Sequence, residues 1–352
     1  MKRGLRILEL AAVCAVGALL PAAAQGPDTS LERLESLAAV LDRETPGFSE
    51  NPAREQAFLG LDQYFEAAVR PGQPFDLSQM PNSLCQWIDR RLLRTLNEAE
   101  APPKDPDELA IWQMYNMGLL CRSGKAVIGL DLADVLDLTP EFCRRVAALV
   151  DVLLVTHAHN DHYDANLVQA CLDAGKPVFV PAAIAAERES HPRLHAIAES
   201  GEFDVAGVKI TARRGVHVWA GSRDDIHIVY YEVMFPTGRT VIFCGDLDYT
   251  REFEKTPGRA VDLLVIPWRS PSKQFESGSP LQAAECKPAV QLALDRVQPR
   301  FLLYGHYAEL GHVHGGVPAS YNLAAGLKRA VATPSEVLFW GESLRLPPAP
   351  RR

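Results

Sequence analysis

Leu153-Leu154-Val155-Thr156-His157-Ala158-His159-Asn160-Asp161-His162-Tyr163-Asp164 decides how this chain is read. The run from Val150 to Val155 is apolar except for Asp151 and has the length of a short buried strand. It stops at a polar turn holding three histidines and two aspartates within eight residues. Imidazole and carboxylate are the ligands that borderline metals such as zinc take. Alternation along an extended segment points His157 and His159 to the same side. Asp161 and His162 follow as the chain turns towards a helix expected near Ala165. A lone histidine beside a strand is ordinarily a core residue, whereas H-x-H-x-D-H at a strand's end is a metal-binding pattern.

The segment resembles the signature of the metallo-β-lactamase superfamily, whose members use H-x-H-x-D-H to hold one or two metals. The resemblance covers about residues 111–341 and does not extend to residues 26–105. It implies an α/β fold over residues 109–345, an αββα sandwich of two sheets packed face to face with helices outside. Further pieces of the family pattern follow in order. Gly215-Val216-His217-Val218-Trp219, after the strand-like Val208–Ala212, matches the third histidine. His227 competes for that role, but it opens the apolar run Ile228–Phe235 and is expected to be an ordinary strand residue. Val241-Ile242-Phe243-Cys244-Gly245-Asp246 closes a buried strand in Gly-Asp, where a carboxylate can bridge two cations. Phe301-Leu302-Leu303-Tyr304-Gly305-His306-Tyr307 matches the strand that carries the last histidine. His312 and His314 lie just beyond it and are expected in a solvated loop.

By this resemblance His157, His159 and His217 hold one metal, and Asp161, His162 and His306 the other, with Asp246 between them. Two Zn2+ ions suit the donors, with Mn2+ or iron as alternatives. Asp161 and Asp246 are then catalytic as well as ligating. Open coordination positions make such a site catalytic, and a shared water acidified by two cations supplies hydroxide near neutral pH. The expected reaction is hydrolysis of an ester, lactone or phosphodiester in a small molecule. The other reading is a non-catalytic metal-binding or scaffold protein that keeps the fold, though a scaffold has no need of all seven ligands. Tyr163-Asp164-Ala165 stands where glyoxalase-like and lactamase-like relatives carry a glycine pair. D-H-x-D resembles the branch of ascorbate-phosphate lactonases and N-acyl-phosphatidylethanolamine phospholipase D. Asp164 either supports the ligands from behind or caps the following helix. The flavodiiron oxidoreductases of the family carry a flavin domain, for which nothing after His306 is long enough.

Pro267-Trp268-Arg269-Ser270-Pro271-Ser272-Lys273 falls between Asp246 and His306 and is a candidate substrate loop. Trp268, Arg269, Lys273 and Tyr307 are the expected substrate contacts. The two cations could bind a phosphate or carboxylate, which would make the substrate anionic. A solvated surface loop is the competing reading.

The 352 residues are 47% hydrophobic and 23% charged, enough for a sizeable core. A net charge of −8 leaves no basic excess for a nucleic-acid backbone, which weighs against the nuclease branches. Residues 1–24 read as an export signal: Lys2, Arg3 and Arg6, an apolar stretch from Leu10 to Leu20, then Ala22-Ala23-Ala24 before Gln25. Val13 argues against lipoprotein processing at Cys14, and the apolar run is short for a membrane span. A periplasmic or secreted protein without a stable membrane span is expected. Six cysteines remain after it, and their spacing fits no metal knuckle.

Residues 25–108 read as a separate helical extension. Helices are expected over Leu31–Arg43, capped by Thr29 with Glu32 in the capping-box position, over Pro52–Val69, and over Ser83–Ala99. Ala101-Pro102-Pro103 ends the last of them. Beyond it, strands are expected at Ile111–Arg122 and Lys125–Leu130, joined at Ser123-Gly124. A helix is expected at Pro140–Leu149, another at Asn166–Ala174, a strand at Pro177–Val180, and a largely helical stretch over Ile184–Ser200. The strand Val261–Ile266 and the helix Leu281–Val297 precede Phe301.

Overall fold

The computed structural model describes residues 28–69, 82–103, 105–133, 138–217, 226–249, 260–268, 283–314 and 319–348. The export segment, Arg269 and Lys273 lie outside them. In chain order the elements are α1 Leu31–Arg43, α2 Pro52–Ala68, α3 Asn82–Glu100, β1 Leu109–Gln113, β2 Leu119–Ser123 and β3 Ala126–Leu130. Next come α4 Pro140–Leu149, β4 Val152–Leu154, α5 Ala165–Asp173, β5 Val178–Pro181, α6 Ala182–Ala186, β6 Leu194–Ile197, β7 Gly201–Val205, β8 Val208–His217 and β9 Ile226–Met234. The chain continues with β10 Thr240–Phe243, β11 Leu263–Pro267, α7 Ala283–Val297, β12 Phe301–Gly305, α8 Leu310–His314, α9 Tyr321–Ala330, β13 Ser335–Val337 and β14 Ser343–Leu346.

One sheet has the order β14-β1-β2-β3-β4-β5-β6 and the other β13-β12-β11-β10-β9-β8-β7. Each is antiparallel over four neighbouring strands and parallel over the rest. The side-chain alternation of a strand sorts residues between two cores. Val152 and Leu154 of β4, Val241 and Phe243 of β10, and Leu263 and Val265 of β11 belong to the cluster between the sheets. Their neighbours Leu153, Ile242 and Leu264 belong to an outer cluster under the helices. The architecture is the expected sandwich, two mixed sheets flanked by helices.

Four local expectations need correction. His312 and His314 fall on the short helix α8 instead of in a loop. Ile111–Arg122 is not one strand: β1 and β2 are antiparallel neighbours, Ile111 opposite Cys121. The turn between them is carried by Asn116, at φ 51°, and hides in an unbroken buried sequence. Ile184–Ser200 is not a helix. Only α6 is helical, and Leu194–Ile197 instead joins β5 as a parallel edge strand. Pro192 explains the break, since neither it nor the residue before it suits a helix interior. Ser30, not Thr29, caps α1 by accepting from Arg33 N–H, so Glu32 falls one place short of the capping box.

Nor are the N-terminal helices separate. Leu34, Phe58, Leu61, Phe65, Trp87 and Leu92 lie in the same apolar cluster as Trp112, Tyr307, Phe339 and Trp340. Each such side chain contributes about 1.5–3 kcal/mol by leaving water. Phe58 stacks on Tyr321 at 4.2 Å and meets Tyr307 edge-on at 5.0 Å. Arg54 forms a buried ion pair with Glu342 and donates to Val337 O, while Arg91 donates to Trp340 O. These contacts seat α1–α3 behind the strand that ends in His306. The six cysteines that follow the export segment are all buried. Among the described residues no helix is long and apolar enough to cross a membrane.

Candidate metal centre

β3, β4, β8, β10 and β12 all end at one edge of the sandwich, and the polar residues beyond them meet there. The carboxyl edge of strands is where such sheets place ligands, because adjacent chain ends diverge and leave a crevice. Asp131 follows β3, and His157 to His162 follow β4. His217 ends β8, Asp246 follows β10 and His306 follows β12. His157, His162, His217, Asp246 and His306 are buried, with His159 and Asp161 partly so.

Asp246 sits in the middle with its two oxygens facing different groups. Oδ1 meets His306 Nε2 and lies 3.6 Å from His162 Nε2. Oδ2 lies 3.6 Å from His217 Nε2 and 4.0 Å from His157 Nε2. His157 Nε2 and His159 Nδ1 are 2.9 Å apart, and Asp161 Oδ2 is 3.1 Å from His162 Nε2. Candidate donor atoms of His157, His159, His217 and Asp246 all fall within 4.8 Å of one another, as do those of Asp161, His162 and His306. All seven sequence-predicted ligands are therefore brought together. His227 is exposed on β9 and accepts from Arg214 Nε–H at 3.2 Å, outside the cluster.

The rings are aimed from behind. His162 Nδ1–H is donated to Asp131 Oδ2 at 2.6 Å, and His306 Nδ1–H to Glu309 Oε2 at 3.1 Å. Thr156 donates its N–H to Asp131 Oδ1 at 2.7 Å and its hydroxyl to Asp131 Oδ2 at 2.5 Å, which leaves its oxygen to accept from His157 Nδ1–H at 3.0 Å. Such outer partners fix the tautomer and present Nε2 to the centre. A metal-ligand set also exists on paper for Asp131, His157 and His162. Asp131 is wholly buried with both oxygens engaged, so it supports the cluster instead of joining it.

Close approach dictates two glycines. Gly245 is at φ 52°, and a Cβ there would run into the Thr156 side chain. A Cβ on Gly305 would strike Met117 Sδ. Asp131 (φ 44°) and His306 (φ 64°) adopt the left-handed region without being glycine. Such conformations cost about 1 kcal/mol or more and persist where surroundings impose them. At His306 the surroundings include Trp268, whose indole N–H is donated to the His306 carbonyl at 2.7 Å.

Burial holds His157 and His159 below the ordinary imidazole range and brings His217 down to about 4, so these three are neutral near pH 7. Burial also pulls on His162, but Asp161, Asp246 and Asp131 outweigh it and raise it well above that range. Burial would likewise lift Asp246, yet His306, His162 and His217 keep it well below the usual carboxylate range. Among the described residues the ion-pair partners of Asp131, Asp161 and Asp246 are histidines alone. Buried carboxylates beside imidazoles of which three are held neutral, with no lysine or arginine among the described residues, leave negative charge only partly compensated. His162 Nε2 and Asp246 Oδ1 are buried there with close ion contacts but no well-directed hydrogen bond among the described residues. The donor set fits divalent cations, which need deprotonated ligands.

Two predicted substrate contacts are packing residues instead. Trp268 is buried and serves His306, and Tyr307 points into the aromatic cluster, donating its hydroxyl to Phe58 O at 3.3 Å. Asp164 caps α5 by accepting from Leu167 N–H at 2.7 Å and also accepts from Leu138 N–H at 3.0 Å, so it shapes the motif from outside. A groove of about 390 Å3 between Glu202, Lys209, Thr211 and Glu232 contains none of the site residues. Sequence reasoning missed the roles of Asp131, Thr156, Glu309 and Asn116, whose Nδ2–H is donated to Asp161 Oδ2 at 2.7 Å. For Asp131 and Thr156 a signal existed, polar residues ending apolar strands. For Glu309 and Asn116 there was none.

Residues 130–307, half of the chain, match the family model described as the beta-lactamase superfamily domain, and the chain belongs to that family. A metallo hydrolase from the archaeon Ignicoccus hospitalis is similar at 15% identity and TM-score 0.48, over 68% of this chain and 99% of that one. A possible metal-dependent hydrolase from Veillonella parvula is similar at 16% identity and TM-score 0.48, over 68% and 98%. A diiron beta-hydroxylase from Streptomyces venezuelae is similar at 16% identity and TM-score 0.47, over 69% of this chain and 55% of its own. No curated protein matches.

Asp131→Ala should leave the buried donors of Thr156 and His162 unmet and cost roughly 3 kcal/mol or more of stability, read from urea denaturation of metal-free protein. A loss within about 0.5 kcal/mol, the range of an ordinary surface substitution, would contradict the supporting role given to Asp131.

Proposed function

We propose that this chain is a metal-dependent hydrolase with a dinuclear centre. His157, His159 and His217 hold one cation, Asp161, His162 and His306 the other, and Asp246 lies between them. The observation that carries this reading is the split of the Asp246 carboxylate. Oδ1 faces His162 and His306, and Oδ2 faces His217 and His157. Bound there, Zn2+, Mn2+ or iron would supply Lewis acidity and an acidified water. The chain's own residues do the rest: Asp131, Thr156 and Glu309 keep Nε2 atoms turned inwards, and burial keeps His157, His159 and His217 unprotonated.

The bond attacked is an ester, lactone or phosphodiester of a small molecule. D-H-Y-D supports the branch of ascorbate-phosphate lactonases and N-acyl-phosphatidylethanolamine phospholipase D. That support is limited to the pattern itself, since Asp164 is a helix cap here. We also propose export, on the strength of residues 1–24. N-terminal sequencing of protein from a bacterial envelope fraction should begin near Gln25, and an intact Met1 on cytoplasmic protein would contradict it.

Metal analysis of protein purified without chelator should give about two equivalents. His157→Ala and Asp246→Ala should each lower occupancy and slow hydrolysis of a responsive aryl ester, lactone or aryl phosphodiester roughly a thousandfold, the loss of several kcal/mol of charge stabilisation. His227→Ala should keep both metals. No more than one equivalent after reloading would sink the dinuclear reading, and two equivalents with no turnover on any of the three would favour the scaffold.

A further inference from the structure

The loop between β1 and β2 carries no histidine, yet it reaches the cluster. Asn116 is 1% exposed, and its Nδ2–H is donated to Asp161 Oδ2, the oxygen that also faces His162 Nε2. Its own Oδ1 is buried with no hydrogen-bond partner among the described residues. A buried amide oxygen left without a protein partner is expected where a group faces a water, ion or ligand.

The loop is anchored on two sides. Gln113 Nε2–H groups are donated to Asn116 O at 2.7 Å and Gly118 O at 3.2 Å, and Met114 N–H to Gly118 O at 2.8 Å. Gln113 N–H is donated to Glu342 O at 2.9 Å, and Gly341 N–H to Gln113 O at 2.8 Å. Glu342 is the partner of Arg54 on α2, so the N-terminal helices brace the loop. On the other side Leu310 N–H is donated to Tyr115 Oη at 3.0 Å, and Met117 occupies the space beside Gly305. Asn116 itself is at φ 51°, a conformation that asparagine tolerates better than most residues.

Asp161 is the ligand that needs such a hold. It lies in the turn after β4 with its side chain 14% exposed, against 0% for His162 and 8% for Asp246. Of the two ligand carboxylates it is the more exposed and the further from its strand, so it has more freedom to turn away from the set. We propose that Asn116 is a positioning residue of the centre: its amide selects the Asp161 orientation that completes the Asp161–His162–His306 set. The inference rests on the dinuclear reading above.

The test titrates metal-free wild type, Asn116→Ala and Asn116→Gly with Co2+ against a chromophoric chelator. A His159→Ala titration identifies which step belongs to the His157, His159 and His217 set. Glycine accepts the left-handed backbone without strain, so it removes the amide and nothing else. A cooperative thermal transition of metal-free Asn116→Gly confirms that it folds. The Asp161 step should weaken about tenfold to a hundredfold in both variants, as loss of an outer partner does, while the other step is unchanged. Unchanged affinity at both steps, equal weakening of both, or a loss confined to Asn116→Ala would each overturn the proposal. Two steps in wild type uphold the dinuclear reading whichever way the variants fall. Failure of wild type to bind two Co2+ would defeat that reading, and the inference with it.

Discussion

The centre depends on one buried carboxylate. Asp131 is wholly enclosed at the end of β3, and its oxygens collect Thr156 N–H, the Thr156 hydroxyl and His162 Nδ1–H. Those three bonds tie the neighbouring strand β4 to the histidine turn and pass through Thr156 to His157. Enclosing a charge costs several kcal/mol unless it is fully hydrogen-bonded, so a site built this way is ordered or it is not formed. Gly245 follows from the same constraint. Thr156 must stand where it does, and the strand that delivers Asp246 can pass it only without a side chain.

A second constraint is charge. Three carboxylates share with the histidines, three of them held neutral by burial, a volume to which the described residues bring no lysine or arginine. The arrangement is strained for the protein alone and suited to cations, which is the usual relation between a preorganised site and what it binds. The backbone carries part of the same cost at Asp131, Asn116 and His306, all left-handed and none a glycine.

Much of this was legible in the chain. H-x-H-x-D-H, His217 after its strand, Gly-Asp and the last strand-ending histidine located seven residues that the structure gathers, and the apolar runs located their strands. What escaped was non-local. Trp268 opens the candidate substrate loop and Tyr307 follows His306 in sequence, but their side chains serve the His306 carbonyl and the aromatic core. Nothing in the sequence distinguishes those orientations. Asn116 and Gly118 are turn-forming residues, but the apolar residues on both sides of them read through as one strand, and the whole of Leu109 to Ser123 is buried. The N-terminal helices seemed separate because a proline-rich stretch follows them. Arg54 and Arg91 betray the connection only through partners some 250 residues or more away, at Glu342 and Trp340. Pro192 was a visible warning against a helix over residues 184–200, and the edge strand β6 is its consequence.

Anomalous diffraction from crystals of metal-loaded protein tests the central claim most directly. Two separate peaks should flank Asp246, one bound by Oδ1 with Asp161, His162 and His306, and one bound by Oδ2 with His157, His159 and His217. A single peak, or two peaks with Asp246 binding neither, would contradict the account.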